Sequence, residues 1–136
     1  MSVRVADRNL SKMEYVHNAQ QIVFLVQERI NKYMNKVACD KRYKAFAKAS
    51  QYSIWNSPIY HAQMVFQYCQ LAYKMRDSIK RHDYLSNACQ NLDLLESSTQ
   101  TFYNSFRAVI KDKFIILLTD KIDRQRSLIK GLEDKI

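Results

Sequence analysis

Glycine and proline are almost absent from this chain of 136 residues, which has one glycine, Gly131, and one proline, Pro58. Their scarcity leaves little chemistry for hairpins, β-bulges or loops that cradle phosphate. The motifs of common nucleotide-binding and hydrolytic sites are absent as well: no Walker motif, GxGxxG, HExxH or GxSxG occurs. We therefore expect an all-α protein, and we expect that it is not an enzyme.

Cysteine and long apolar runs are also scarce. Cys39, Cys69 and Cys89 lie far apart and form neither a CxxC pair nor a zinc-like spacing with histidine. The longest apolar run, FIILL at 114–118, is too short to span a bilayer, and the first ten residues lack the apolar core of a signal peptide. The sequence predicts no disulfide, no metal, no cofactor and no membrane partner, and a reducing cytoplasm as the compartment.

Positive charge is abundant. The chain has 22 Lys and Arg against 13 Asp and Glu, a formal net charge of +9, and 47% of its residues are hydrophobic. This composition predicts one folded domain, 1–136, in which we expect 1–10 to be a flexible segment. The charge favours an anionic partner, with nucleic acid ahead of a membrane surface or an acidic protein.

Apolar residues recur with helical spacing in four segments. SKME at 11–14 is typical of a capping box that begins the first helix. Its predicted seam is Val16, Ala19, Val23, Val26, Ile30, Tyr33 and Val37. Asp40 is the expected N-cap of the second helix, which we expect to kink near Pro58. Its predicted apolar face includes Tyr43, Phe46, Ile54, Met64, Tyr68, Leu71 and Met75.

The chain is predicted to turn around Asp77 and Ser78 before two further helices. The third helix has the seam Leu85, Ala88, Leu92, Leu95, Thr99, Phe102 and Phe106. The last has Ile115, Leu118, Ile122, Ile129, Leu132 and Ile136 on one stripe, which Gln125 interrupts. Four amphipathic helices joined by short turns predict an antiparallel up-down-up-down four-helix bundle.

In that topology the first and third turns meet at one end of the bundle, which brings 29–48 near 107–113. The candidate nucleic-acid-binding residues at this end are Arg29, Lys32, Lys36, Lys41, Arg42, Tyr43, Lys44, Lys48, Arg107, Lys111 and Lys113. Cations at the end of the first helix also offset its dipole, but those at the start of the second are not explained that way. We expect the cations to bind phosphates and Tyr43 to stack on a base.

Segments of the sequence resemble a known family. RNLSKMEYVHNA, DKRYKAF and LSNACQNLDLLESSTQTFY look like segments of the accessory variability determinants of diversity-generating retroelements, which are related to proteins of 23S rRNA intervening sequences. The resemblance implies a homopentamer of basic four-helix bundles that binds the retroelement reverse transcriptase and its template RNA. It also implies that the protein supports mutagenic cDNA synthesis without catalysing it. In this resemblance Lys41, Arg42 and Lys44 would form the basic patch.

Two alternatives remain open at this point. The chain could be a helical scaffold that binds only protein, with outward apolar residues such as Phe24, Phe66 and Tyr73 at the interface. Alternatively, RDSIKRH at 76–82 resembles the Arg and His spacing of HEPN ribonucleases. His82 would then act on the ribose hydroxyl and Arg76 would stabilise phosphate charge, with a dimer completing the site.

Overall fold

The computed structural model describes residues 5–49, 51–107, 110 and 113–133. Helix α1 comprises Val5–Cys39, and α2 is the short helix Lys44–Ala49. A π-helical segment, Gln51–Trp55, leads directly into α3, Asn56–Lys74. Helices α4, Ser78–Ser105, and α5, Phe114–Glu133, complete the described chain, which contains no β-strand.

The four long helices pack together around one apolar core. Helix α1 packs against α3 and α5, and α4 packs against the same two helices. The predicted seam of α4 is confirmed, because Leu85, Ala88, Leu92, Leu95, Thr99, Phe102 and Phe106 are all buried. In α1 the buried line is Tyr15, Ala19, Ile22, Val26, Ile30, Tyr33 and Val37. Val16 and Val23 are only half-buried at its margin. An all-helical fold built from four substantial helices is therefore as expected.

The predicted face of the second helix is wrong after Pro58. The buried line of α3 is Pro58, Ala62, Val65, Cys69 and Ala72, one residue beyond the predicted Met64, Tyr68 and Leu71. A π-helical turn accommodates one residue more than an α-helical turn. The helical periodicity extrapolated from Tyr43 across Gln51–Trp55 is therefore displaced by one residue. Leu71, which was predicted to be buried, is 43% exposed.

Two predicted helix starts are also wrong. Helix α1 already includes Val5–Leu10, so Ser11 lies inside a helix and cannot begin it as an N-cap. Asp40 is followed by a turn at 41–43, and α2 begins only at Lys44. The expected flexibility of 1–10 and the kink near Pro58 stay predictions.

The turn between α3 and α4 is confirmed and is closed by side chains. The Asp77 carboxylate accepts hydrogen bonds from the amides of Ile79 (2.9 Å) and Lys80 (3.1 Å), as an N-cap residue does. The Arg81 guanidinium donates to the Met75 carbonyl at 2.7 and 3.0 Å, which satisfies an acceptor at the end of α3. Three residues therefore suffice to join the two helices.

Candidate nucleic-acid interface

Aromatic rings join the elements at the end of the molecule where α1 finishes. Phe106 is fully buried, and its ring centroid lies 5.7 Å from those of Tyr43 and Phe46 and 6.0 Å from that of Trp55. Phe102, one turn earlier in α4, lies 5.2 Å from Phe106. Such rings contribute both buried area and edge-to-face attraction. At the end of α4, Phe106 therefore packs against three elements: the turn at 41–43, helix α2 and the π-helical segment.

A second ring contact joins the other side of the 107–113 connection to the same end. The Phe114 ring, at the start of α5, lies 5.9 Å from the Tyr33 ring in α1. Phe106 and Phe114 thus flank the connection, and both contact the segment 33–46. The two residues that flank 107–113 therefore lie near this part of α1 and α2. We call the cationic residues of 29–48 and 107–113 the basic end.

Most described cations of the basic end are exposed and have no acidic partner among the residues that the structure describes. Seven exposed side chains form no ion pair with any residue in the described ranges: Lys32, Lys36, Lys41, Lys44, Lys48, Arg107 and Lys113. Arg29 is half-buried and already has an interaction within the protein. Lys111 and Asp112 lie outside the described residues. The basic end is thus a surface whose positive charge is largely uncompensated.

Arg42 differs from its neighbours because Asp40 holds it. The Asp40 carboxylate accepts from the Arg42 backbone amide at 2.9 Å and from its guanidinium at 2.9 and 3.1 Å. The hydrogen bonds from the Arg42 side chain hold the pKa of the Asp40 carboxyl below its usual range. Asp40 therefore shapes the turn before α2 and neutralises one cation of the basic end.

Tyr43 and Phe46 both contact Phe106 but differ in exposure. The half-buried Tyr43 ring packs edge-on against Phe106, and the Arg42 guanidinium carbon lies 5.6 Å from its centroid. Phe46 is 46% exposed although its ring also contacts Phe106. The stacking role of Tyr43 stays a prediction, and the assignment of Phe46 to the apolar face of its helix is not matched by burial.

Arginines away from the basic end use their charge differently. Besides Arg81 in the first turn of α4, Arg124 in α5 is paired with Glu14 in α1. Arg126 in α5 bridges to Asp93 and Glu96 in α4, both at 2.7 Å, and to Asp123 at 3.3 Å. We call this set, Arg81, Arg124 and Arg126 with their acceptors, the paired end. These arginines hold helices to each other instead of presenting charge to a ligand.

A buried polar cluster lies beside the paired end. Gln125 is fully buried; its Nε2 donates to the Tyr15 carbonyl at 2.8 Å and to Cys69 Sγ at 3.4 Å, and its Oε1 accepts from Asn18 at 2.8 Å. Burial raises the pKa of the Cys69 thiol to about 12. Cys69 is therefore a neutral core residue, and Gln125, which interrupts an apolar stripe, joins α5 to α1 and α3.

The ribonuclease hypothesis stays a prediction. Arg76 and His82 are both exposed, and no described contact within the chain joins them. Two basic residues lie between them: Lys80 is exposed, and Arg81 donates to the Met75 carbonyl. His61 contacts the Asn91 side chain at 3.2 Å between α3 and α4, and His17 is exposed on α1. No arrangement of a base with an activated group is seen among these histidines.

Comparisons with protein-family models, with curated proteins and with solved structures return no match to this chain. Within the described ranges, none of the helices combines the length and the apolar composition needed to cross a bilayer. The same residues contain no group of three or more His, Cys, Asp and Glu side chains suited to a metal ion.

Proposed function

We propose that this chain is a non-catalytic helical bundle that binds nucleic acid through phosphate contacts at its basic end. The observation that carries the proposal is the group of seven exposed cations with no ion pair in the described ranges. The helix dipole accounts for Lys36 and Lys48, which lie in the last turns of α1 and α2, but the remaining charge of one sign opposes folding through self-repulsion. A phosphate backbone would supply the missing anions and release counterions on binding.

The proposal includes an antiparallel up-down-up-down arrangement of the four long helices. Pairs across α3 and α4 support it, since His61 contacts Asn91 whereas Tyr68, later in α3, contacts Tyr84, earlier in α4. Contacts between α1 and α5 also support an antiparallel pair. Glu14 contacts Arg124, whereas Gln21, later in α1, contacts Lys121, earlier in α5. This arrangement puts both stretches of the basic end at one end of the bundle.

We further propose, from the resemblance of its segments alone, that the chain assists the reverse transcriptase of a diversity-generating retroelement. In that role it would assemble as a homopentamer, bind the polymerase and its template RNA, and support mutagenic cDNA synthesis without catalysing it. The basic end supplies the RNA contact in this scheme. The exposed residues Phe24 and Tyr73 are available for contacts between copies or with the polymerase, whereas Phe66 is half-buried.

Two triple variants with the same change in net charge test the phosphate-binding proposal. The first is Lys41→Glu/Lys44→Glu/Lys48→Glu at the basic end, and the control is Lys74→Glu/Lys80→Glu/Lys130→Glu, whose lysines are also exposed. Binding of a fluorescein-labelled structured RNA is followed by anisotropy at one salt concentration. Arg42 is left unchanged because Asp40 already pairs with it.

We expect the basic-end variant to lose at least about tenfold in affinity and the control variant to lose much less, because phosphate contacts are local. Equal losses in both variants would mean that only net charge attracts the RNA, which contradicts a site at the basic end. Absence of binding by the unaltered protein would favour a scaffold that binds protein only. RNA integrity is checked on a gel, where cleavage lost in His82→Ala would instead support the ribonuclease hypothesis.

A further inference from the structure

A long stretch of this chain carries no charged side chain. Residues 49–73 contain no Asp, Glu, Lys or Arg, although these residues make up 26% of the whole chain. Helix α3 lies within this stretch except for its last residue, Lys74. The exposed residues of α3 before Lys74 are Asn56, Tyr60, Gln63, Gln67, Leu71 and Tyr73. The outer surface of α3 therefore differs from those of α1 and α5, which carry exposed acids and cations.

Four residues form a row along the outer side of α3. The spacing of four, three and four residues puts them on one side of an α-helix, and they are Tyr60, Met64, Gln67 and Leu71. Tyr60 is 56% exposed, Leu71 is 43% exposed, and Gln67 between them is exposed as well. The buried line of α3, which includes Val65, lies on the other side of the helix. We call these four residues the uncharged row.

The adjoining surface of α4 is uncharged too. His61 in α3 contacts Asn91 in α4 at 3.2 Å, and the ring centroid of Tyr68 in α3 lies 6.3 Å from that of Tyr84 in α4. The α4 residues that continue this side at helical spacing are Tyr84, Asn87, Asn91, Leu94 and Ser98. None of them is charged, and Leu94 is 49% exposed. Aromatic residues and methionine without charged neighbours are typical of the centre of a protein interface.

The charge of the chain favours a second copy as the partner of the uncharged row. Two copies, each with a formal net charge of +9, repel one another unless their cations stay apart. Trp55 contacts Phe106, so α3 begins beside the basic end, and its 19 residues extend about 28 Å away from it. If two copies pack antiparallel through α3, their basic ends are separated by more than the Debye length of about 8 Å at physiological salt. A partner attracted by charge would instead bind at the basic end.

The spacing of the uncharged row also suits self-association. Intervals of four, three and four residues read the same in both directions. A two-fold axis between Met64 and Gln67 therefore brings Tyr60 of each copy against Leu71 of the other. The face formed by α3 and the adjoining side of α4 is about 28 Å long and, at about 10 Å per helix, about 20 Å wide. Its area of roughly 560 Å² per copy is close to the lower limit of about 600 Å² for specific interfaces.

We propose that two copies of this chain associate through the uncharged row, with their α3 helices antiparallel. At this area the pair is weak, and single chains predominate in dilute solution. The contact leaves both basic ends exposed, so it goes beyond the phosphate-binding function and does not depend on it. It also differs from the homopentamer proposed from the resemblance, because a two-fold contact by itself pairs copies and does not close a ring of five.

Sedimentation velocity of the full chain over a series of concentrations tests the pair. Leu71→Glu puts a carboxylate in the uncharged row, and Tyr60→Lys/Leu71→Glu puts opposite charges against each other across the two-fold axis. Within one chain these two positions are about 16 Å apart along α3, too far to pair with each other. The matched control is Ile116→Glu, which introduces the same charge at a 61% exposed position of α5. Thermal unfolding checks that the variants keep the fold.

We expect the unaltered protein to form a species of two chains as its concentration rises. Leu71→Glu should weaken the pair at least about tenfold, because its carboxylate would lose hydration against Tyr60 of the other copy. The double variant should recover most of that loss, and Ile116→Glu should leave the pairing unchanged. Added salt should strengthen the pair, because it screens the repulsion between copies, whereas it should weaken RNA binding.

Three results would overturn the proposal. A protein that stays a single chain at every accessible concentration has no such contact. An assembly of two or of five chains that Leu71→Glu leaves intact is held together by another face. Loss of the pair in Leu71→Glu without recovery in the double variant contradicts the antiparallel arrangement. Because sedimentation is measured without RNA, failure of the phosphate-binding function would leave all these results unchanged.

Discussion

The basic end and the paired end hold their helices together by different means. At the basic end, rings around Phe106 and Tyr33 make the contacts between elements, and the surrounding cations stay exposed. At the paired end, Arg81, Arg124 and Arg126 make hydrogen bonds or ion pairs that join elements, beside the buried amide of Gln125. The two sets of cations thus differ in whether they have partners among the described residues.

The largest effect should come from removing the centre of the aromatic cluster. Phe106→Ala takes a fully buried ring away from four other rings. We expect a loss of about 3–5 kcal/mol in the free energy of unfolding, measured by urea denaturation, as is usual for such truncations. Tyr60→Ala, at an exposed position, should change it by less than about 0.5 kcal/mol. Similar small effects of both variants would refute the role of Phe106.

Removing the buried amide at the paired end should have a smaller effect. Gln125→Leu keeps a side chain of similar size but removes one of the two acceptors of the Asn18 amide, the other being the Lys121 carbonyl, so we expect a loss of about 1–3 kcal/mol. Asn18→Leu/Gln125→Leu should recover part of the loss, because both partners are then apolar. Additive losses in the double variant, measured in the same urea experiments, would show that the two side chains do not depend on each other.

The buried thiol predicts a loss of stability in alkaline solution. The pKa of Cys69 is raised to about 12 from 9.0, so the folded protein keeps the proton that the unfolded chain loses above about pH 9. The contribution of this thiol to the free energy of unfolding is therefore complete below that pH. It falls as pH rises, by about 1 kcal/mol between pH 8 and pH 10. Burial raises the pKa of Tyr15 as well, but its unfolded value of 10.0 delays most of that effect to higher pH.

Cys69→Ala isolates the thiol in this measurement. The variant should be less stable at pH 8 but should lose less than the unaltered protein between pH 8 and pH 10. An equal loss in both proteins would show that other groups titrate there. In the folded protein, a thiol reagent should modify the exposed Cys39 well before Cys69.

The smallest effect should come from releasing Arg42. Asp40→Asn removes the carboxylate that binds this guanidinium and adds one uncompensated cation to the basic end. We expect RNA affinity to rise severalfold, because one more phosphate contact becomes available. Asp83→Asn, which removes an exposed acid outside the basic end, should have less effect. Weaker RNA binding by Asp40→Asn would mean that the turn shaped by Asp40 matters more than the charge of Arg42.

Sequence patterning predicted the all-helical fold and the seam of α4, because that helix keeps one uninterrupted α-helical phase. It failed in α3, because the π-helical segment Gln51–Trp55 adds a residue per turn and carries no distinctive composition. It also placed the start of α1 too late, since a capping-box pattern also occurs inside helices. Local sequence signals therefore located most elements but not their boundaries.

The candidate site was predictable in its charge and less so in its geometry. The count and sequence positions of the cations could be read directly. Contacts with the segment 33–46 are seen for Phe106 and Phe114, the residues that flank 107–113. The pairing of Arg42 with Asp40 and the exposure of Phe46 depend on the turn at 41–43 and on packing between distant elements. Periodicity within one helix contains no information on such contacts.

The salt dependence of RNA binding tests the central claim most directly. Affinity of the unaltered protein and of Lys41→Gln/Lys44→Gln/Lys48→Gln for a structured RNA is measured over a series of salt concentrations. We predict a linear fall of log affinity with log salt for both proteins, with a slope smaller by about two to three in the variant, because each lost phosphate contact removes roughly 0.7–0.9. Equal slopes in the two proteins would contradict a phosphate-binding site at the basic end.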